Sequence, residues 1–441
     1  MSLTTQAPVS PAYPREWRAI QWGILWLPFN PIMALLGLLF ALFSLWKQAF
    51  RPLVATPMAK GFALLSVWLV LTTLMAEHKG EALLGLANFL PYFALFLAYR
   101  LVFRHFSQLR YLAWILSLSA LVLVILGLGQ IYGGWATPAW LSVLGTNLVA
   151  EGRPEGRMSS LLMYANLFSA HLLMVLPLSL GLLIDQWRFG QALSDKAHWR
   201  GLAGLGLICF AEIVALFLTD SRSAWGLTAL ILVAYALYLS WYRLVALIAG
   251  GAGLVLWSAF GPWGREPLRQ IIPRYFWARL SDELYPDRYK TAFRSTQWDF
   301  ALQMLSQRPL TGWGLRNFTP LYQAAMNVWL GHPHSLPLML LAEIGIPGTL
   351  LFLGLVGSVL YQATRLCWRL GQRREHKHRQ RLHLLLFAYL LAFGSVTLFN
   401  LFDVTLFDLR VNLLGWILLS AIAGVSQGPF PRPTHDDKLS T

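Results

Sequence analysis

Long runs of apolar residues dominate the chain. Each run approaches or exceeds about 18 residues, which is enough for an α-helix to cross the hydrocarbon of a bilayer. The pattern predicts about eleven spans, at 23–46, 61–76, 82–103, 111–133, 158–184, 201–218, 223–239, 242–260, 337–362, 382–401 and 406–424. We therefore expect an all-α polytopic integral membrane protein with about 11–12 transmembrane helices and one long structured extracytoplasmic loop.

The first apolar run contains a helix-breaking segment. Pro28-Phe29-Asn30-Pro31 interrupts it, and proline removes a backbone donor and disfavours a continuous helix. This segment predicts a kinked or re-entrant pair. A hairpin here would also leave Arg15 and Arg18 on the side that carries the other basic loops.

Basic residues set the predicted orientation, because short loops rich in Lys and Arg stay in the cytoplasm. The region 363–381 carries seven Lys and Arg residues against the single acid Glu375. Alternating the spans from this region places the basic loops near Lys47, Arg104 and Arg188 on the same side. The long segment 261–335, which we call the lid, then faces the extracytoplasmic side.

Composition supports this interpretation. Residues are 56% hydrophobic and only 12% charged, whereas soluble domains carry about 25% charged residues. The net charge of +15 is therefore assigned to topology, and no nucleic-acid partner is expected. Cys209 and Cys367 are too few and too separated for a disulfide framework or a zinc site.

The predicted organisation has five parts. Residues 1–22 form a cytoplasmic or interfacial segment without a removable signal peptide, and 23–260 form transmembrane helices. The lid spans 261–335 and contains a helical stretch near Thr291 to Ser306. Residues 336–424 form further transmembrane helices with the basic cytoplasmic loop 363–381, and 425–441 form a polar tail.

Arg222 opens one of the predicted spans. It follows Asp220 and Ser221, either of which is able to cap the helix. An arginine beside free backbone N–H groups at a helix start favours an anion. The alternative is an interfacial arginine that reaches lipid headgroups.

Within the lid, Arg294, Trp298, Ala301 and Leu305 share one helical stripe. The arginine at its head is expected to point toward whatever the stripe covers, and the alternative is a salt bridge with Asp299 or Asp287. The turn-rich stretch 308–316, which ends at Arg316, is suited to a pocket rim.

His332-Pro333-His334-Ser335 lies at the boundary before the ninth span. No Cys, Asp or Glu accompanies the two histidines at ligand spacing, so no metal is predicted. A histidine there is suited to general-base chemistry, although an interfacial histidine is also a common structural residue. Farther along, Gly345 and Gly348 with Glu343 predict close helix packing around an intramembrane carboxylate.

The order and spacing of these features resemble the O-antigen ligase and polymerase superfamily. The matching motifs are Ser221-Arg222, then Arg294, Trp298 and the Pro309 to Gly314 turn, then His334-Ser335, nine residues and Gly345-x-x-Gly348. The segment from Arg157 to Asn166 is similar to the family's Arg plus Asn-Pro-Asn segment, but Tyr164-Ala165-Asn166 lacks the first Asn and the Pro.

The resemblance implies a metal-independent, inverting glycosyltransferase that uses no cofactor. It implies an undecaprenyl-diphosphate-linked glycan as donor, and lipid A core, another carrier-linked glycan or a protein as acceptor. The active site would face the periplasm from the bacterial inner membrane. The residues it assigns are His334, Arg222 and Arg294 as catalytic, and Arg157, Asn166, Arg316 and Trp298 as substrate-binding.

A transport function is the alternative. The stretch from Thr56 to Tyr132 and the ending Leu401 to Leu406 are similar to the cyanobacterial inorganic-carbon-accumulation proteins, once proposed as bicarbonate transporters. Transporters commonly contain paired inverted repeats with broken helices, and no clear pair is evident in the sequence.

Overall fold

A computed structural model describes residues 12–142, 145–190, 195–281, 283, 293–372 and 376–427. The first eleven residues, the tail from 428, and the loop positions 284–292 and 373–375 lie outside the described residues, as do Asp287 and Glu375. The described part forms α-helices and contains no β-strand. They are α1 (Pro14–Trp26), α2 (Pro31–Val54), α3 (Pro57–Leu74), α4 (Lys79–Leu86), α5 (Leu90–Tyr99), α6 (Phe106–Tyr132), α7 (Ala139–Ser142), α8 (Ala165–Phe189), α9 (Asp195–Leu218), α10 (Arg222–Tyr238), α11 (Tyr242–Phe260), α12 (Arg265–Ile271), α13 (Arg274–Leu280), α14 (Arg294–Gln307), α15 (Phe318–Met326), α16 (Leu336–Gln372), α17 (Lys377–Phe399) and α18 (Leu409–Gln427).

The prediction of an all-α polytopic membrane protein is confirmed. In the described part of the chain, ten helical segments are long and apolar enough to cross a membrane, counting α4 and α5 together, and α10 is a shorter apolar helix. Helices α8 and α18 are buried over most of their length, whereas α11 is largely exposed. The centre of the bundle is therefore built around α8 and α18, and α17 packs against both.

The first predicted span is wrong as a single helix. The chain ends α1 at Trp26 and starts α2 at Pro31, where the Asn30 side chain accepts a hydrogen bond of 3.0 Å from the Met33 amide. The two helices pack closely because Gly23 and Gly37 leave no room for a Cβ atom. The break predicted at Pro28 to Pro31 is thus present as a helical hairpin.

The span predicted at 158–184 also begins in the wrong place, because α8 starts only at Ala165. The buried side chain of Gln130 holds the preceding backbone instead. Its Oε1 atom accepts hydrogen bonds from the Ser159 and Ser160 backbone amides at 3.1 and 2.9 Å. A buried polar side chain satisfies these amides and removes the need for helical hydrogen bonds.

The basic loop predicted at 363–381 is mostly helical. Helix α16 continues to Gln372 and α17 begins at Lys377. Apolar runs mark only the hydrocarbon-crossing part of a helix. Long basic side chains bury their stems and keep their charges in water, so both helices continue beyond it.

The lid contains α12 to α15, so its predicted helical stretch is present as α14. Its turn Pro309 to Gly314 docks on a break in α16. At that break Gly345 has a φ of +71°, and the Ala342 and Glu343 carbonyls accept from the Trp313 and Gly314 amides at 3.0 and 2.8 Å. A Cβ atom at Gly345 would lie 2.0 Å from the Leu310 carbonyl oxygen, so this contact requires glycine.

Candidate active site

The centre of the candidate site is a pair formed by His334 and Asp403. His334 lies in the loop before α16, and Asp403 lies in the loop between α17 and α18. The His334 Nδ1 atom is 3.2 Å from Asp403 Oδ1. The Asp403 side chain is 9% exposed and that of His334 is 29% exposed, so a buried carboxylate supports a histidine that solvent or substrate can reach.

The other carboxylate oxygen of Asp403 is held by a polar relay. The Asn166 Nδ2 atom donates to Asp403 Oδ2 at 2.6 Å, and the Asn166 oxygen accepts from Arg157 Nη2 at 2.7 Å. Burial raises the pKa of Asp403, but the hydrogen bond with His334, the two histidine charges and the Val404 amide outweigh it and lower the pKa to about 2. Asp403 is therefore ionised at neutral pH.

His332 is fully engaged by its neighbours. Its Nδ1 atom accepts from the His334 backbone amide at 3.2 Å, and its Nε2 atom lies 3.7 Å from Asp403 Oδ1. Its ring stacks on Phe407. Burial lowers the pKa of His332 to about 4, and the positive charges of His334 and Arg294 act in the same direction, against Asp403. His332 is therefore neutral near pH 7.

The lid brings three predicted residues near this centre. Trp298 Nε1 donates to the Pro333 carbonyl at 3.0 Å, between the two histidines. Arg294 lies one helical turn earlier on α14, and its charge acts on His332. Arg316 lies near the ring that stacks on His332, with its guanidinium 5.6 Å from the centre of the Phe407 ring. It also forms an ion pair with Glu81 at 3.0 Å.

The described contacts of Arg222 are with α13 and not with the two histidines. Its Nη1 atom donates to the Arg279 and Leu280 carbonyls of α13 at 3.1 and 3.4 Å. The relay reaches this region, because Arg157 Nε donates to the Thr219 carbonyl at 2.8 Å. The structure therefore joins Arg222 to the centre through the turn before α10.

The predicted cap of α10 is wrong. Ser221 is the N-cap residue, but its side chain makes no capping hydrogen bond. Asp220 instead pairs with Arg279 at 3.0 Å and accepts from the Tyr275 hydroxyl at 2.6 Å. Its backbone φ of +52° turns the carboxylate toward α13, so these residues attach the lid to the bundle.

The sequence interpretation did not assign a site role to Asp403. The residue lies 69 positions after His334, so no local spacing connects the two. The available signal was a lone carboxylate in a short apolar loop between spans, since a buried charge at a membrane boundary requires a partner.

The two histidines and Asp403 together form a group of potential metal ligands. His332, His334 and Asp403 each offer one ligand atom, and these atoms lie within 4.8 Å of one another. The sequence argument that no carboxylate accompanies the histidines is therefore wrong in space. The absence of a functional metal stays a prediction.

Chemically, the arrangement supplies a half-buried imidazole beside an ionised carboxylate, with Arg294 and Arg316 nearby. Such a pair is able to accept a proton from a hydroxyl, and the arginines are able to offset negative charge that develops nearby.

Comparison with known proteins agrees with this chemistry. Residues 205–353 match the family model described as O-antigen ligase, and no curated protein matches the chain. The matched segment contains Arg222, Arg294, Trp298, Arg316 and His334. The similarity to the cyanobacterial proteins stays a prediction. The match supports the resemblance to the O-antigen ligase superfamily over this segment of the chain.

Proposed function

We propose that the protein transfers a glycan from an undecaprenyl-diphosphate carrier to an acceptor hydroxyl on the extracytoplasmic face, by an inverting and metal-independent mechanism. The observation that carries the proposal is the hydrogen bond between His334 Nδ1 and Asp403 Oδ1. The acceptor belongs to one of three classes: lipid A core, a second carrier-linked glycan, or a protein.

His334 is the general base in this proposal. An ionised carboxylate only accepts hydrogen bonds, so the proton of neutral His334 lies on Nδ1 and the Nε2 lone pair is free to act. Among the described residues, Nε2 has no hydrogen-bond partner. His332 is unsuited to this role because both of its ring nitrogens already face partners.

The reaction then proceeds in one displacement. The acceptor hydroxyl gives its proton to His334 Nε2, and its oxygen attacks the anomeric carbon from the face opposite the carrier. The bond between that carbon and the diphosphate oxygen breaks, and the electron pair leaves with the diphosphate. Asp403 stabilises the imidazolium that forms, as a positioning residue behind the base.

Positive side chains are assigned to the leaving diphosphate. Arg294 acts electrostatically on His332, and Arg222 lies at the start of α10 where backbone amides also favour an anion. Arg157, Arg316 and Trp298 surround the centre as substrate-binding residues. Asn166 is engaged at both ends of its amide, so we assign it to holding Asp403.

The orientation of the site follows from charge. His334 and Asp403 lie at the end of the bundle opposite the basic ends of α16 and α17, and the distribution of Lys and Arg predicts that these basic ends are cytoplasmic. This supports a site that faces the periplasm from the inner membrane. A carrier diphosphate would sit at the same level, with its polyprenyl chain in the bilayer.

The test compares His334→Ala with His332→Ala in a reconstituted assay that contains a polyprenyl-diphosphate glycan and each acceptor class in turn. Removing a general base typically costs about 10²–10⁴-fold in rate, so His334→Ala should lose transfer while donor binding persists. His332→Ala should have a smaller effect. Wild-type transfer by His334→Ala, or a larger defect at His332, would contradict the assignment.

The biological readout is a deletion strain examined for surface polysaccharide. The proposal expects the carrier-linked glycan to accumulate and its transferred product to disappear, with restoration by the wild-type gene and none by the His334→Ala gene. An unchanged surface polysaccharide together with altered bicarbonate uptake would favour transport.

A further inference from the structure

A polar cavity lies at the end of the helical bundle opposite the candidate active site. It has a volume of about 400 Å³. It is formed where α3 begins and where α5 and α18 end, beside the second half of α16. Its polar lining comprises Thr56, Arg100, Ser358, Gln362 and Gln427. None of these residues belongs to the candidate active site.

Arg100 is the unusual member of this lining, because it is only 5% exposed. Its guanidinium donates to Thr56 Oγ1 at 2.7 Å, to Gln427 Oε1 at 3.3 Å and to the Leu97 carbonyl at 3.4 Å. All three acceptors are neutral. No carboxylate in the described part of the chain forms an ion pair with this guanidinium.

A buried charge without a counter-ion is costly. Removing an ion from water carries a penalty of several kcal/mol, and neutral hydrogen bonds offset only part of it. The nearby charge that acts on Arg100 is Arg104, another cation, which increases the penalty. The cavity therefore combines an uncompensated cation with space for an anion.

We propose that this cavity binds the phosphate headgroup of an anionic phospholipid. Arginine matches phosphate through its planar set of donors, and the side-chain amide of Gln362 in the cavity wall supplies a further donor. Met58 and Leu355 give the cavity an apolar wall suited to the start of an acyl chain.

The position of the cavity agrees with this ligand. It lies at the end of the bundle that carries Arg104 and the basic ends of α16 and α17, which is predicted to face the cytoplasm. Anionic lipids are enriched in the cytoplasmic leaflet, where they attract basic residues. One bound headgroup would thus contact residues of α3, α16 and α18 and the end of α5, at a distance from the candidate active site.

The test measures the thermal unfolding temperature of the purified full-length protein in detergent, so it requires no transfer assay. The added probes are phosphatidylglycerol, phosphatidylcholine with the same acyl chains, and inorganic phosphate. A ligand that binds the folded state raises stability with its concentration. We expect phosphatidylglycerol to raise the Tm of the wild type most, inorganic phosphate weakly, and phosphatidylcholine least.

Arg100→Gln should lose at least half of the phosphatidylglycerol shift. Without lipid it should be at least as stable as the wild type, because the substitution removes an uncompensated buried charge. A variant that loses the phosphatidylglycerol shift but keeps or raises its Tm without lipid has lost binding, whereas a misfolded variant would show a lower Tm without lipid. Arg104→Gln is the matched control, since it removes a charge at the same end and should keep the shift.

Three results would overturn the proposal. They are an unchanged phosphatidylglycerol shift in Arg100→Gln, an equal shift with phosphatidylcholine, and loss of the shift in Asp436→Asn/Asp437→Asn. The last result would identify these two aspartates of the tail, which lie outside the described residues, as the counter-ion.

Discussion

Replacing Asp403 with asparagine should disable the proposed base by changing the proton position on His334. The Asn166 oxygen is fixed by Arg157, so Asn166 must continue to donate toward position 403. We expect the oxygen of the new amide to keep the shorter hydrogen bond from Asn166 at 2.6 Å, at the expense of the 2.9 Å bond that Asp403 Oδ1 accepts from the Val404 amide. The NH₂ group then faces His334. A donor in that place favours the tautomer with hydrogen on Nε2, which leaves no lone pair for the acceptor hydroxyl.

The expected loss is that of a general base, about 10²–10⁴-fold in kcat. This corresponds to about 3–5 kcal/mol of transition-state stabilisation. The KM for the donor should change little, because Asp403 is buried behind His334 and the diphosphate is assigned to the arginines. A purely structural role would instead lower the Tm and the amount of folded protein.

The assay is steady-state transfer by purified Asp403→Asn in proteoliposomes, with the Tm measured on the same preparations. Asp299→Asn is the matched control, since it makes the same chemical change at an exposed carboxylate on α14 and should keep wild-type kinetics. If Asp403→Asn folds normally and turns over within a few-fold of the wild type, the tautomer argument is refuted.

The remaining predictions concern charge, metal and pH. Arg222→Lys and Arg294→Lys should each lower kcat/KM by about 10–100-fold, the worth of a hydrogen bond to a charged group, without altering folding; wild-type rates would refute the assignment. Transfer should survive EDTA, but added Zn²⁺ should inhibit it reversibly, because the nitrogens of His334 and His332 lie 3.2 and 3.7 Å from Asp403 Oδ1, near the spacing of about 3.4 Å between ligands of tetrahedral zinc; loss of activity with EDTA alone would contradict a metal-independent mechanism. Because burial holds the pKa of His332 near 4 instead of 6.5, its stabilising contribution is complete above pH 6.5 and is lost as the pH falls toward 4. The Tm of His332→Gln should therefore fall less than that of the wild type over this interval, and equal slopes would exclude this explanation.

Apolar run length predicted the membrane helices because crossing hydrocarbon imposes the same physical requirement on each of them. The ends were less predictable where side chains replaced helical hydrogen bonds. Gln130 holds the backbone before α8, and that contact spans 29 residues. Run length also stops at the lipid boundary, so it missed the basic continuation of α16.

The candidate site shows the same division. Local motifs singled out His334, Trp298 and Arg294, because each belongs to a short pattern with a recognisable neighbour. Asp403 gave no such pattern, since its role depends on the end of α17 lying beside the start of α16. Only the folded arrangement reveals that Asp403 lies within hydrogen-bonding distance of the His334 ring.

The backbone break at Gly345 has a mechanical consequence. Trp313 and Gly314 are bonded to the same short half of α16 that follows His334, so the turn and this half-helix should move as one rigid unit. We expect a large substrate to gain access by displacement of α12 and α13, whose attachments to the bundle include the Asp220 to Arg279 ion pair. The lid would thus open at α12 and α13, while the Pro309 to Gly314 turn keeps its contact with α16 and holds His334 in place.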